Sequence, residues 1–155
     1  MNIFYLDEDP VISCSYLMDI HVRKMTLETC QLLMTTDVLH GYRRPYHPTH
    51  VNHPCRLALE DITNYLWLCR YFEAICGEYR FRFNHDHACS QYMVNFYFNV
   101  GLVSLCKPNF PQCFPDVFKR ENVIDGYREY YRWKYKNFLE RGIARYTKRR
   151  IPWWL

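Results

Sequence analysis

Four polar residues of one stretch are spaced so that they could share a face of a helix. Within residues 18–34 they are His21, Lys24, Glu28 and Gln31. At about 100° per residue they fall in a stripe roughly 80° wide with apolar residues on both borders. A carboxylate with apolar flanks is partly desolvated and suits proton transfer, and a lysine between a histidine and a glutamate could form a Schiff base.

The same spacing has a second interpretation that the sequence leaves open. Lys24 and Glu28 can form an ordinary i,i+4 ion pair on an exposed helix face. On the far side of this helix, Asp19 and Arg23 are also four residues apart and are predicted to form a solvent-facing pair.

The loop over residues 40–54 is rich in His, Arg and Pro. His47, His50 and His53 follow an H-x-x-H-x-x-H spacing that could bind zinc together with Cys55. The intervening prolines fit no standard zinc module, so we predict no metal and no cofactor.

Phosphate and base contacts are the preferred interpretation of this loop. Arg43 and Arg44 precede His50, Asn52 and His53, and these residue types donate hydrogen bonds to phosphates and bases. The alternative is a hydrogen-bonded loop that packs against the core.

Positive charge is concentrated near the C-terminus. The net charge is +4, but residues 119–150 contain 11 Lys or Arg and 4 Asp or Glu, and the rest of the chain is net negative. Such a segment indicates a polyanionic partner or else a solvated basic helix. Tyr127, Tyr130 and Tyr131 mark a predicted core face, and the nucleic-acid-binding candidates are Arg132, Trp133, Lys134, Lys136, Arg145, Lys148 and Arg149.

The elements that must position these residues are predicted to be helices. Asp9 and Pro10 form a helix start, and helical spacing predicts helices near 10–17, 18–35, 55–79 and 122–140. Residues 88–105 fit a helix or a strand, and we favour a helix. We predict an all-α fold in which residues 1–155 form a single compact domain of about four to five helices with long ordered loops, ending in a basic segment at 119–155.

Composition excludes several classes of protein. The eight cysteines include no C-x-x-C pair, and the acidic N-terminus lacks the features of a signal peptide. No run of 18 apolar residues is present, so no membrane association is predicted. We expect an intracellular, reducing compartment and mostly buried thiols. The oligomeric state stays open.

Several motifs resemble those of the viral pyrimidine-dimer DNA glycosylases. The segment L-M-D-I-H with Glu28 seven positions after His21 is similar to their first catalytic helix. T-H-V-N-H-P at 49–54, the helix after it, and W-K-Y-K-N at 133–137 also resemble this family. The chain is still more similar to a group of phage and large-virus proteins that share D-x-H-x-x-K-M-x-x-E-x-x-Q, H-x-N-H-P and a final P-x-W.

The resemblance implies an all-helical enzyme that binds double-stranded, damaged or modified DNA across a basic face. In the family the N-terminal amine attacks the sugar C1′ and forms an imine, and the glutamate assists base loss and strand cleavage. By this likeness Glu28 is the catalytic carboxylate, His21 is a site residue and the Met1 amine is the nucleophile. A viral origin would place the protein in the host cytoplasm or nucleus.

The chain also departs from the family pattern. Asn2 is large enough for Met1 to stay, whereas the family exposes the amine of a small second residue. Leu27 and Gln31 stand where the family has arginines around the glutamate, and Lys24 has no counterpart. The identity of the nucleophile therefore stays open. It could be the Met1 amine or Lys24, or the chemistry could be different.

The sequence predicts a DNA N-glycosylase or abasic-site lyase of the base-excision type. Two alternatives remain: a nucleotide or nucleic-acid modifying enzyme on the same scaffold, and a non-catalytic nucleic-acid-binding or viral structural protein.

Overall fold

Helices are the regular secondary structure of the part of the chain that the structure describes. A computed structural model describes residues 2–96 and 107–155, and no β-strand occurs among them. The predicted all-α class is therefore confirmed. The α-helices are α1 (Pro10–Ser15), α2 (Asp19–Leu39), α3 (Pro54–Leu57), α4 (Ile62–Phe83) and α5 (Val123–Glu140), and 3-10 helices cover Ala88–Phe96, Ala58–Glu60 and Asp116–Phe118.

Side-chain caps begin the helices where the sequence predicts. The Asp9 carboxylate accepts hydrogen bonds from the N–H groups of Val11 and Ile12, and Pro10 occupies the first turn of α1. Asn122 caps α5 in the same way. The predicted starts of α1 and α5 are confirmed.

The predicted helix at 55–79 is interrupted and runs further than expected. The Asp61 carboxylate accepts the N–H of Thr63 and starts α4 anew after a short 3-10 turn. A side chain that caps the backbone competes with helix continuation, and the hydrophobic spacing does not reveal this. Asn84, at φ 61°, ends α4 in the left-handed region.

Two other expectations have mixed outcomes. Helix α2 continues to Leu39, four residues beyond the predicted end. Within the predicted 88–105 helix, Ala88–Phe96 is a 3-10 helix, and the remainder lies outside the described residues.

The core lies where α2 and α1 pack against α4. The N-terminal segment from Ile3 to Leu6 is buried beside them without regular secondary structure. Trp67 and Tyr71 of α4 stack at 5.0 Å in this core. The seven cysteines within the described residues are free thiols, and six are buried: Cys14, Cys30, Cys55, Cys69, Cys76 and Cys89.

A buried ionic network replaces the predicted surface pair of Asp19 and Arg23. Asp19 Oδ1 accepts a 3.0 Å hydrogen bond from the fully buried Arg82, which also donates to Glu78 at 2.6 Å. Arg23 instead lies over the ring of Phe83 at 4.4 Å. The prediction was wrong because Arg82 of α4, which is distant in sequence, forms the ion pair with the Asp19 carboxylate.

In the described residues no helix combines the length and apolar character needed to cross a membrane.

Candidate active site

Glu28 and Lys24 form the polar pair that the spacing predicts. Glu28 Oε1 lies 3.4 Å from Lys24 Nζ, one turn away on α2. Their side chains differ in exposure, since Lys24 is 60% exposed and Glu28 only 16%. The carboxylate is therefore partly desolvated at the edge of the core, whereas the ammonium reaches solvent.

His21 lies beneath this pair and inside the core. Its Nδ1 shares a 2.8 Å hydrogen bond with the Tyr131 hydroxyl, which also accepts the Met18 N–H at 2.7 Å. Burial, with smaller contributions from Lys134 and Lys24, lowers the pKa of His21 to about 3. The imidazole is therefore neutral at pH 7, and its nearest aromatic ring is that of Phe4 at 4.7 Å.

The start of the chain runs into the same region. Phe4 adopts φ 54°, a left-handed backbone that bulky residues rarely occupy. Asn2 is buried and its Nδ2 donates to the Cys113 carbonyl at 3.3 Å. The Met1 amine lies outside the described residues.

His53 and Cys113 lie at one cavity, and Cys113 is hydrogen-bonded to Asn2. Burial lowers the pKa of His53, and the charge of Glu28 opposes this shift. His53 and Cys113 line one cavity of about 670 Å³ together with Phe114 and Lys119. Two loops, one before α3 and one before α5, therefore form this cleft, and the Asn2 side chain bonds the second of them.

An aromatic wall of nearly parallel rings runs from Phe114, which lines this cavity, to Tyr130 and Trp133 on α5. Tyr130 stacks on Phe114 at 4.9 Å and 20° and on Trp133 at 5.8 Å and 13°. Phe118 joins them at 5.5 Å from Tyr130. Trp133 is 48% exposed and Lys134 Nζ lies 4.9 Å from the Tyr130 ring centroid. This arrangement offers flat surfaces and a cation to a base and a phosphate.

The predicted core face of α5 is only partly core. Tyr127 and Tyr131 are fully buried, which confirms the prediction for them. Tyr130 is half-buried and belongs to the wall. Helical spacing alone could not separate these neighbours, because the loop that covers Tyr127 is distant in sequence.

The candidate residues of the 40–54 loop have different surroundings. Arg44 Nε donates to Asp37 at 2.7 Å, so part of this guanidinium is engaged within the fold. Arg43, His50 and Asn52 are exposed. His53 lines the cleft, and the centroid of the His50 ring lies 6.4 Å from that of the His53 ring. Nucleic-acid contact by this loop stays a prediction.

The basic C-terminal candidates fall into two groups. Arg149 donates to both Glu78 oxygens, at 2.9 and 2.7 Å, and Lys148 donates to the Phe81 carbonyl at 2.7 Å. These residues tie the tail to α4. Arg132 donates to the Trp154 carbonyl at 2.6 Å. In the second group, Lys136 and Arg145 have exposed side chains, and Lys134 and Trp133 belong to the aromatic wall.

A second cavity of about 550 Å³ lies along the first half of α5. Its arginines are paired with acids, since Arg128 contacts Asp7 at 3.2 Å and both Arg120 and Arg132 contact Glu129. These ion pairs neutralise the charge that an anion would need, so this cavity is the weaker candidate.

Sequence reasoning missed Phe4, Cys113 and Lys119. No local signal marks a left-handed Phe, and Cys113 is 58 residues from Cys55, whose thiol it contacts. Comparisons of this chain with protein-family models, curated proteins and solved structures gave no match.

Proposed function

We propose that the protein is a DNA-acting enzyme of the base-excision type, an N-glycosylase or abasic-site lyase, with Glu28 as its catalytic carboxylate. The observation that carries the proposal is the partly buried Glu28 carboxylate, which is paired with Lys24 one turn away on α2. The likeness to the viral glycosylases leads to the same glutamate.

The reaction needs an unprotonated amine near the sugar C1′. The amine lone pair forms a bond to C1′, and the base leaves with the electron pair of the glycosidic bond and takes up a proton. Opening of the sugar ring gives an imine, and removal of a C2′ proton then expels the 3′ phosphate. Glu28 is assigned to these proton transfers, because its side chain is partly buried and next to a cation.

The nucleophile is assigned to the Met1 α-amine rather than to Lys24. An α-amine has an intrinsic pKa of about 8 and a lysine about 10.4, so the α-amine is more often unprotonated at neutral pH. Lys24 is largely exposed and its nearest charge is a carboxylate, which stabilises the ammonium. Lys24 suits a phosphate contact or the pairing of Glu28.

His21 acts in this proposal as a positioning residue. Its ring is neutral and packs at a tilt against that of Phe4, and its hydrogen bond to Tyr131 joins α2 to α5. It thereby supports the N-terminal segment that carries the amine.

DNA would lie across the aromatic wall and the basic residues around it. Trp133 and Tyr130 offer stacking surfaces for an extruded base, and Lys134 offers a phosphate contact. Arg149 and Lys148 hold the tail in place, and their part in DNA binding is secondary to that role.

Cleavage of a duplex with a single abasic site, compared with a dimer-containing and an undamaged duplex, tests the proposal. We expect strand cleavage at the abasic site by β-elimination. Salt-dependent binding to all three duplexes without cleavage would instead favour the non-catalytic nucleic-acid-binding protein. Cleavage products that lack an elimination end would favour another modifying enzyme.

A further inference from the structure

Three side chains with metal-ligating atoms meet at the floor of the cleft. One ligand atom each from His53, Cys55 and Cys113 lies within 4.8 Å of the other two. The two sulfur atoms are 3.5 Å apart. Two thiolates on a tetrahedral zinc ion, with Zn–S bonds of about 2.3 Å, lie roughly 3.8 Å apart, so the sulfurs already have nearly the required separation.

We propose that His53, Cys55 and Cys113 bind a thiophilic metal ion, with zinc as the best fit, and leave its fourth position open to the cleft. One imidazole and two thiolates form a donor set that zinc prefers over magnesium or calcium. Two thiolates also balance the charge of a divalent ion.

The fold brings the three ligands together from two segments. His53 and Cys55 stand on either side of Pro54 at the start of α3, where the Cys55 N–H donates to His53 Nδ1 at 3.1 Å. A metal bound through Nδ1 takes over this lone pair. Cys113 comes from the proline-rich loop before α5, and Asn2 bonds its carbonyl. Loop and turn are thus held against each other before any metal arrives.

The open position follows from the surroundings of the cluster. Cys55 is buried, whereas His53 and Cys113 line the cavity of about 670 Å³. Three protein ligands with one accessible position are typical of a site that binds water or a substrate oxygen, whereas purely structural zinc sites have four protein ligands. A phosphate or sugar oxygen of the proposed substrate would have the right chemistry. The metal proposal itself does not depend on the DNA reaction.

The chain contains a built-in control for this site. His87 and Cys89 repeat the same turn, with the Cys89 N–H donating to His87 Nδ1 at 3.1 Å, and the Cys89 thiol is hydrogen-bonded to Cys30. Across residues 2–96 and 107–155, however, only the His53 group brings three ligand atoms within 4.8 Å. The turn at His87 and Cys89 therefore has the same residue types, but no third ligand atom from the described residues forms such a group with them.

The test is metal binding by the reduced, metal-free full chain. Zinc is titrated against a chromogenic chelator, and cobalt is added separately to record tetrahedral d–d bands and thiolate charge-transfer bands. We expect one ion per chain with two thiolate ligands. Cys113→Ala and His53→Ala should each weaken zinc binding more than about 100-fold, because even the loss of partners outside the ligand shell costs 10–100-fold.

Cys89→Ala is the matched control and should bind zinc like the wild type. His53→Ala keeps both thiols, so it still tests the site if Cys113→Ala fails to fold by circular dichroism. The proposal is overturned if cobalt gives no thiolate bands, if Cys113→Ala and His53→Ala bind as tightly as the wild type, or if Cys89→Ala removes binding equally. These readouts do not use DNA, so they separate failure of the metal site from failure of the enzyme proposal.

Discussion

The Tyr131 hydroxyl on α5 and Nδ1 of His21 on α2 share a 2.8 Å hydrogen bond. This bond joins the helix that carries Glu28 to the helix that carries the aromatic wall. The two sides of the candidate active site are thus connected through one buried pair.

Stability should fall with acid because of this histidine. The pKa of His21 is about 3 in the folded chain and 6.5 in the unfolded chain, so the unfolded state binds more protons between these values. The stabilisation is complete above pH 6.5 and is lost as the pH falls toward 3. The loss should approach about 1.4 kcal/mol per pH unit. Urea unfolding from pH 7 to about pH 5 measures it; His21→Phe should show a shallower slope, and equal slopes would contradict the prediction.

Glu28→Gln should separate binding from turnover. The substitution keeps the shape of the side chain and removes its ionisable group. Turnover on abasic DNA should fall by about 10² to 10⁴-fold, as expected for loss of a general acid or base, while DNA affinity stays within a few-fold. Glu8→Gln is the control, since Glu8 is an exposed carboxylate paired with the exposed Lys107 at 2.6 Å. Unchanged turnover in Glu28→Gln would remove this residue from the mechanism.

The lysines of α5 should set the salt dependence of DNA binding. Replacing Lys134 and Lys136 by Gln should weaken binding to all sequences alike and reduce the slope of log K against log salt by about one per lost contact. Lys107→Gln is the control, because Lys107 lies outside the basic segment and pairs with Glu8 at 2.6 Å. If the double variant keeps the wild-type slope in fluorescence anisotropy titrations, the DNA path lies elsewhere.

Arg82 should be the most sensitive charged residue for folding. Arg82→Met leaves the buried Asp19 and Glu78 carboxylates without their central partner, and breaking such a group costs about 3–5 kcal/mol. Arg80→Met on the same helix removes an exposed pair with Asp86 at 3.7 Å and should cost less than about 1 kcal/mol. Denaturant midpoints compare the two variants. Similar losses of unfolding free energy in both would show that the buried network does not contribute more to stability than the exposed pair.

Local patterns predicted the helices well, because a helix cap and a hydrophobic period each depend on residues that are close together in the sequence. Asp9 and Asn122 illustrate this. The Lys24–Glu28 pair followed from spacing on a single helix. Long-range partners could not be predicted: Arg82 takes Asp19 from 63 residues away, and Cys113 meets Cys55 across 58 residues. No periodicity carries information on such contacts.

The central claim is that an amine of this chain attacks C1′ of the DNA sugar beside Glu28. Borohydride reduction on an abasic duplex, followed by peptide mapping of the adduct, tests it most directly. The account predicts a covalent adduct on the N-terminal peptide, formed by wild type and by Lys24→Ala alike. An adduct on the Lys24 peptide would move the nucleophile to α2, and the absence of any adduct on abasic or dimer-containing DNA would contradict glycosylase and lyase chemistry.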